Sequence, residues 1–143
     1  MQQSLTLDLA LLIARSTLAR GRETGCKPLT VAVLDAGGHL LTLLREDGAS
    51  NMRPQLAIGK ASGALALGVS SRKIATMAEE RPHFVNALAI ITVGGLIPAA
   101  GGVLLQSDAG KVIGAVGVTG DTSDRDEACA LHGVAASGLR ALD

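Results

Sequence analysis

Aromatic side chains are almost absent from this sequence of 143 residues, which has no Trp, no Tyr and a single Phe, Phe84. The core must therefore be built from Ala, Val, Leu and Ile, because hydrophobic residues still make up 48% of the chain. Single-stranded nucleic acids are bound largely by stacking bases on aromatic rings, which this chain lacks. Excess positive charge is missing too, since 13 Lys and Arg balance 13 Asp and Glu. The composition therefore excludes any electrostatic or stacking reason to expect a nucleic-acid partner.

Cysteines and long apolar runs are also scarce. Cys26 and Cys129 lie far apart in the sequence without CxxC spacing, so we predict buried or partly buried thiols rather than a disulfide framework or a zinc site. Asp8 and Arg15 interrupt the apolar N-terminal segment, and no apolar run approaches the roughly 18 residues of a membrane-spanning helix. We therefore expect a cytoplasmic protein without a membrane partner. The chain length predicts a single domain over residues 1–143.

The densest stretch of turn and strand signals lies towards the C-terminus. Two apolar runs, Val103–Leu105 and Val112–Val118, flank the sequence Ser107-Asp108-Ala109-Gly110, which predicts two adjacent antiparallel strands joined by a turn. Gly114 and Gly117 in the second strand indicate that another backbone or a ligand comes close to it.

A helix is predicted directly after this hairpin. Thr119-Gly120 ends the second strand, and the pair Ser123 and Asp126 has the spacing of a capping box, so we predict a final helix over Asp124–Leu142. A strand that leads into a helix N-terminus, beside glycines with accessible backbone amides, is a candidate anion site.

The earlier part of the chain predicts further helices and strands. An amphipathic helix is expected over Leu5–Thr24, followed by a strand over Leu29–Leu34 that is apolar on both faces. A turn at Asp35–His39 leads into a second strand, Leu40–Arg45.

Two helices and a strand are expected in the middle of the chain. The helix Pro54–Leu67 carries a row of small residues that would let it lie close to a sheet, namely Ala57, Ala61, Ala64 and Gly68. A second helix starts at Ser70-Ser71 and continues to Glu80. We predict a loop at His83-Phe84 and a strand over Leu88–Val93. This order of elements predicts an α+β domain with an antiparallel sheet of about five strands flanked by helices.

Several of these segments together carry a resemblance to a known family. The segments are VAVLDAGGHLLTLLREDGA, the later GKVIGAVGVTG, and DRDEACALHG after it, together with Lys60-Ala61 between them. On these segments the sequence resembles the GlcG/HbpS-like family, whose members also occur as the C-terminal domain of PduO-type proteins, over essentially its whole length. The resemblance implies a profilin-like, three-layer α/β/α fold and a homo-oligomer.

The candidate ligand-binding residues come from three places in the sequence. Arg45 and Asp47 are charges of opposite sign beside a glycine at a strand end, and Lys60 is the one long cation within the small-residue row. A solvated loop and an exposed lysine are the alternative interpretations of these residues. With the glycines and acids around the final helix, the full set is Arg45, Asp47, Lys60, Gly101, Gly102, Thr119, Gly120, Asp126 and Glu127.

For function, the resemblance implies a protein that binds haem or a related tetrapyrrole, with Arg45 and Lys60 near the propionates. His83 and His132 are the candidate axial ligands. Cys129 and His132 lie three residues apart on a predicted helix, but two ligands are too few for a structural zinc site, so no metal site is predicted. No G-x-S-x-G or HExxH motif is present, so catalytic residues stay unassigned.

Two other functions stay open from the sequence. One is an enzyme or auxiliary protein acting on a small carboxylate or hydroxy acid, which Lys60 or Arg45 would hold while Asp126 or Glu127 moves a proton. The other is an accessory structural subunit. If Asp126 borders a ligand site, Asp126→Asn should change ligand binding more than stability.

Overall fold

An antiparallel sheet lies at the centre of the structure, a computed structural model that describes residues 4–142. Residues 1–3 and 143, which belong to the predicted domain, lie outside the described residues. Within the described part the sheet has five strands, which are β1 (Thr30–Asp35), β2 (Leu40–Arg45), β3 (Gly102–Gln106), β4 (Val112–Thr119) and β5 (Arg140–Leu142). Their order across the sheet is β2-β1-β4-β3-β5, and each neighbouring pair is antiparallel.

Helices cover both faces of the sheet. They are α1 (Leu7–Glu23), α2 (Arg53–Leu67), α3 (Ser71–Glu80), α4 (Pro82–Ile91) and α5 (Ser123–Ala136). Helices α1 and α5 pack against each other and against one face, where Ile13 and Val134 join the buried valines of β1 and β4. Helix α2 covers the other face, and α3 and α4 pack beside it. The predicted α+β fold with three layers is confirmed.

The small-residue row of α2 brings its backbone against the sheet, as predicted. Ala57, Ala61 and Ala64 are fully buried. A Cβ added at Gly117 of β4 would lie 2.0 Å from the Ala57 carbonyl oxygen, so only glycine allows this approach of helix to strand.

Both predicted hairpin turns are present. The Asp35 carboxylate accepts hydrogen bonds from the backbone N–H groups of Gly37 and His39, at 2.9 and 3.0 Å, and so holds the β1–β2 turn. In the β3–β4 turn, Gly110 adopts φ of +82°, which favours glycine.

The prediction of a strand over Leu88–Val93 is wrong, because this segment is the C-terminal half of α4 and the residues that follow it. His83 and Phe84, expected in a loop, lie in the first turn of the same helix. Pro82 occupies the first helical turn, where its missing N–H has no partner to lose. A short apolar run is compatible with either a strand or a helix, and packing of Val85 against Ile74 and Leu96 favours the helix here.

The predicted final helix is too long and its cap is shifted by one residue. Helix α5 ends at Ala136, Gly138 turns the chain with φ of +82°, and residues 140–142 pair with β3 as the edge strand β5. The N-cap is Thr122 rather than Ser123, since the Thr122 hydroxyl accepts a hydrogen bond from the Arg125 N–H at 3.3 Å. This shift leaves Asp126 free to point inward.

Among residues 4–142, no helix combines the length and the apolar character needed to cross a bilayer.

Candidate functional site

The sequence-predicted site residues fall in several places. Two of them, Lys60 and Asp126, form a buried ion pair where α2, α5 and the ends of β3 and β4 meet. Gly101, Gly102, Thr119 and Gly120 lie at the same strand ends. Arg45 and Asp47 line a separate surface cleft. His132 lines a groove between α1 and α5, whereas Glu127 and His83 lie elsewhere.

The buried pair joins Lys60 of α2 to Asp126 of α5. Lys60 Nζ lies 3.2 Å from Asp126 Oδ2 and donates a second hydrogen bond to the Val118 carbonyl at 2.9 Å. The other carboxylate oxygen of Asp126 accepts a hydrogen bond from the Asp121 N–H at 2.9 Å. The two side chains are only 4% and 2% exposed. Each charge therefore has fixed protein partners, as a buried ionic group requires.

Burial shifts both titrations of this pair towards the neutral forms. It lowers the pKa of Lys60, and the negative charge of Asp126 opposes that shift. It raises the pKa of Asp126, which the Asp121 N–H and the Lys60 charge oppose. Each group therefore depends on the other to stay charged at this position.

Two of the predicted glycines, Gly101 and Gly102, are explained by the space around Lys60. Gly101 has φ of +130°, and a Cβ there would lie 2.9 Å from Lys60 Nζ. A Cβ at Gly102 would lie 2.3 Å from the Lys60 carbonyl oxygen, and one at Gly120 would lie 2.2 Å from the Pro28 carbonyl oxygen. Gly101 and Gly102 therefore let the start of β3 lie against Lys60, whereas Gly120 lets the end of β4 lie against the residues before β1.

Arg53 belongs to the same region and was missed by the sequence analysis. Its guanidinium donates a hydrogen bond to the Thr119 hydroxyl at 2.8 Å, and its charge acts on both Lys60 and Asp126. The only signal for it was a cation beside Pro54 at a helix start, which is no more specific than a solvated residue.

The cleft that contains Arg45 and Asp47 has a volume of about 550 Å³. Its other lining residues are Arg22, Cys26, Pro28 and Glu46. Glu46 is held in place, because it accepts hydrogen bonds from the Leu29 N–H at 2.8 Å and from Arg22 at 2.9 Å. Arg45 is exposed, and its side chain has no hydrogen bond or ion pair with another residue of the range 4–142. Its guanidinium is therefore available to an anion.

The groove between α1 and α5 has a volume of about 270 Å³. Four of its lining residues, Arg125, Ala128, Cys129 and His132, share one face of α5 by their spacing. Arg20 and Thr24 line it from the end of α1. Arg125 donates a hydrogen bond to the Thr24 carbonyl and so links the two walls. Arg20 and Arg125 were not predicted as site residues, because nothing in the sequence shows that α1 and α5 are neighbours.

Glu127 and His83 lie outside both of these clefts. Glu127 accepts two hydrogen bonds from Arg72, at 3.0 and 3.1 Å, and Arg72 also contacts Asp124, so the three side chains tie α3 to α5. His83 is exposed on α4. In the part of the chain that the structure describes, no group of three or more His, Cys, Asp or Glu side chains has an arrangement able to hold a metal ion.

The fold and these clefts define a class of small α+β proteins, in which helices cover both faces of a five-stranded antiparallel sheet and candidate ligand sites open at the surface. A family model described as haem degrading protein HbpS-like matches residues 5–135. The chain therefore belongs to the HbpS-like family, and the resemblance found in the sequence is confirmed.

Individual relatives support the same assignment. The chain is 30% identical over 128 residues to a 15.0 kDa protein in the dhaT-dhaS intergenic region of Citrobacter freundii. The aligned region covers 86% of this chain and 84% of that protein. It is similar to the crystal structure of HbpS, with a TM-score of 0.81, 29% identity and coverage of 94% and 91% of the two chains. PduOC, solved as a complex with heme, matches with a TM-score of 0.86 over 99% and 100% of the chains, but at 22% identity this likeness shows the fold alone.

Proposed function

We propose that this protein binds haem or a related tetrapyrrole in the groove between α1 and α5. The observation that carries the proposal is the position of His132, which lines this groove together with Arg20 and Arg125. An imidazole is a common axial ligand of haem iron, and guanidinium groups pair well with carboxylates such as the propionates. The match to the family described as haem degrading protein HbpS-like supports the same ligand class.

The chain's own residues would bind and orient the group. His132 would ligate the iron, while Arg20 and Arg125 would hold the carboxylates at the walls of the groove. Bound haem would supply a redox-active iron. The groove volume of about 270 Å³ lies just below the roughly 300–1,000 Å³ of typical small-molecule pockets. We therefore expect one edge of the macrocycle to be held, with modest affinity.

The proposed propionate contacts, Arg20 and Arg125, differ from Arg45 and Lys60, which the family resemblance implied. Lys60 is buried and paired with Asp126, so its ammonium cannot reach a ligand at the surface. Arg20 and Arg125 also have ion-pair partners, but they are half-exposed and their pairs are long, at 3.4 and 3.5 Å. Arg45 lies in the other cleft, away from the candidate iron ligand.

Titration of haem into the apoprotein tests the proposal. The chain has no Trp or Tyr, so its own absorbance near 280 nm is low and a bound chromophore is easily measured. We expect a saturable Soret shift that is lost in His132→Ala and kept in His83→Ala, the matched exposed histidine on α4. Arg125→Gln should weaken binding without abolishing the shift. A parent protein without a saturable shift, or a His132→Ala variant that binds like the parent, would contradict the proposal.

A second candidate function is the binding of a small carboxylate in the cleft of Arg45. Two observations favour this function. Within the described residues the Arg45 guanidinium has no partner, and the cleft has a volume of about 550 Å³. Asp126 and Glu127 do not line this cleft, so the geometry supports binding there rather than proton transfer. Calorimetric titration with mono- and dicarboxylates, in the parent and in Arg45→Gln, tests this candidate. Failure of both titrations would favour an accessory structural subunit.

We also propose that the chain forms one domain over residues 1–143, acts in the cytoplasm and assembles into homo-oligomers. Two free thiols suit a reducing compartment. The alanine row of α2 is buried within the fold and gives no surface for assembly. The exposed apolar residues Ile90, Ile91 and Val93, at 84%, 76% and 95%, are a better basis for contacts between subunits.

A further inference from the structure

Cys26 and Cys129 meet in the folded protein although 103 residues separate them. Cys26 lies in the connection between α1 and β1, and Cys129 lies within α5. Their sulfur atoms are 3.9 Å apart, and both are free thiols. A disulfide needs an S–S distance of about 2.05 Å, so the two sulfurs must approach by roughly 2 Å more.

The two thiols differ in accessibility. Cys26 is partly buried and lines the cleft of Arg45, whereas Cys129 is 2% exposed and lines the groove of His132. Burial, together with the neighbouring Cys26, raises the pKa of Cys129 to about 11, so Cys129 stays a thiol at neutral pH. A small oxidant therefore meets Cys26 first, and Cys129 is positioned as the second reactant.

Both cysteines sit on a held backbone. Cys129 lies within a helix that packs on the sheet. The Cys26 N–H donates a hydrogen bond to the Gly21 carbonyl at 2.8 Å, which ties the connection after α1 to the end of that helix. The remaining approach of the sulfurs therefore falls mainly on rotation of the two side chains about their Cα–Cβ bonds.

We propose that Cys26 and Cys129 form a reversible intramolecular disulfide when the protein meets a peroxide. The peroxide oxidises the Cys26 sulfur to a sulfenic acid and leaves as water or an alcohol. The Cys129 thiol then attacks the sulfenic sulfur and gives its proton to the leaving hydroxyl group, so that the S–S bond forms and the hydroxyl leaves as water. The two thiols together lose two electrons to the O–O bond, and a dithiol reductant reverses the change. This proposal does not depend on haem binding.

Intact mass spectrometry of reduced apoprotein, treated with hydrogen peroxide in the presence of a chelator, tests the proposal. We expect a loss of about 2 Da from the two thiol hydrogens, a peptide map linking Cys26 to Cys129 under non-reducing conditions, and recovery with dithiothreitol. The absence of haem from the assay keeps its outcome separate from that of the haem titration.

Two single variants sharpen the test. In Cys129→Ser we expect Cys26 to gain oxygen or to form covalent dimers, because its partner sulfur is missing. In Cys26→Ser we expect peroxide to oxidise the buried Cys129 thiol at least roughly tenfold more slowly than it oxidises the thiols of the parent, because accessibility limits the rate of oxidation. A parent protein that gains oxygen on Cys26 or Cys129, or forms covalent dimers, without the linked peptide would overturn the proposal. Peptide mapping separates this oxygen from oxygen gained by the exposed Met52, and the readout does not depend on how well the variants fold.

Discussion

Replacing Asp126 with Asn removes one charge of the buried pair while keeping the shape of the side chain and an oxygen that can accept from the Asp121 N–H. At 3.2 Å and an effective dielectric constant of about 20, the attraction between the two charges is about 5 kcal/mol. Part of this loss is relieved because Lys60 can release its proton. We therefore expect a destabilisation of about 3 kcal/mol at pH 7, in the range measured when one partner of a buried pair is removed.

The pH dependence of this loss has a definite sign. The pKa of Lys60 is lowered by burial, and without Asp126 it falls further. Because the pKa of Lys60 is lower in the folded protein than its unfolded value of about 10.5, protonation of Lys60 favours the unfolded state. Above about pH 10.5 this effect is absent. Below it, the free energy of unfolding falls by about 1.4 kcal/mol for each pH unit, until the pH reaches the folded-state pKa. The difference in the free energy of unfolding between the parent and Asp126→Asn should therefore become smaller as the pH rises from 7 to 10.

Chemical denaturation at pH 7 and pH 10 measures both effects, and the melting temperature at pH 7 should fall by about 10 °C. The double variant Lys60→Met/Asp126→Asn should recover much of the loss, since no unpaired charge remains. The exposed pair of Arg20 and Glu23 provides a control, because Glu23→Gln should cost less than about 0.5 kcal/mol. A loss below about 1 kcal/mol for Asp126→Asn, or one independent of pH, would refute this account of the pair.

Two further predictions concern the last helix and the assembly. Thr122→Ala should destabilise the protein by about 1 kcal/mol, because it removes the N-cap of α5. Ser123→Ala, at an exposed helical position, should be nearly neutral. Equal effects of the two substitutions in thermal denaturation would contradict the assigned cap. Light scattering coupled to size exclusion should show a species several times larger than 14.4 kDa, and Ile90→Glu/Ile91→Glu should reduce its size; a parent protein that elutes as a monomer would end the oligomer proposal.

The prediction for Asp126 shows how tertiary structure changes the meaning of a site residue. From the sequence, Asp126 is an acid at a helix start, and its replacement should affect ligand binding more than stability. In the fold it is 1% exposed and paired with Lys60, 66 positions away in the chain. We now expect its replacement to affect stability first.

Local patterns in the sequence determined most of the elements. Asp35 and Gly110 predicted the two hairpin turns because turn conformations require particular side chains or positive φ at particular positions. The alanine row of α2 predicted close packing on the sheet, since side-chain size limits how near two backbones can lie. Where the local signal was ambiguous, as in the apolar run Leu88–Val93, the prediction was wrong, because packing against neighbouring helices decided between strand and helix.

The tertiary structure alone decided which polar groups meet. Cys26 and Cys129 gave no paired signal in the sequence, yet their sulfurs lie 3.9 Å apart. Arg20 and His132 share a groove only because α1 and α5 pack side by side on one face of the sheet. Periodicity and turn chemistry act over a few residues, whereas such contacts depend on the order of the strands and on which face each helix covers. The sequence therefore determined the segments and much of the list of candidate residues, and the packing of α1, α2 and α5 on the sheet determined which of them form a buried pair, a cleft or a dithiol.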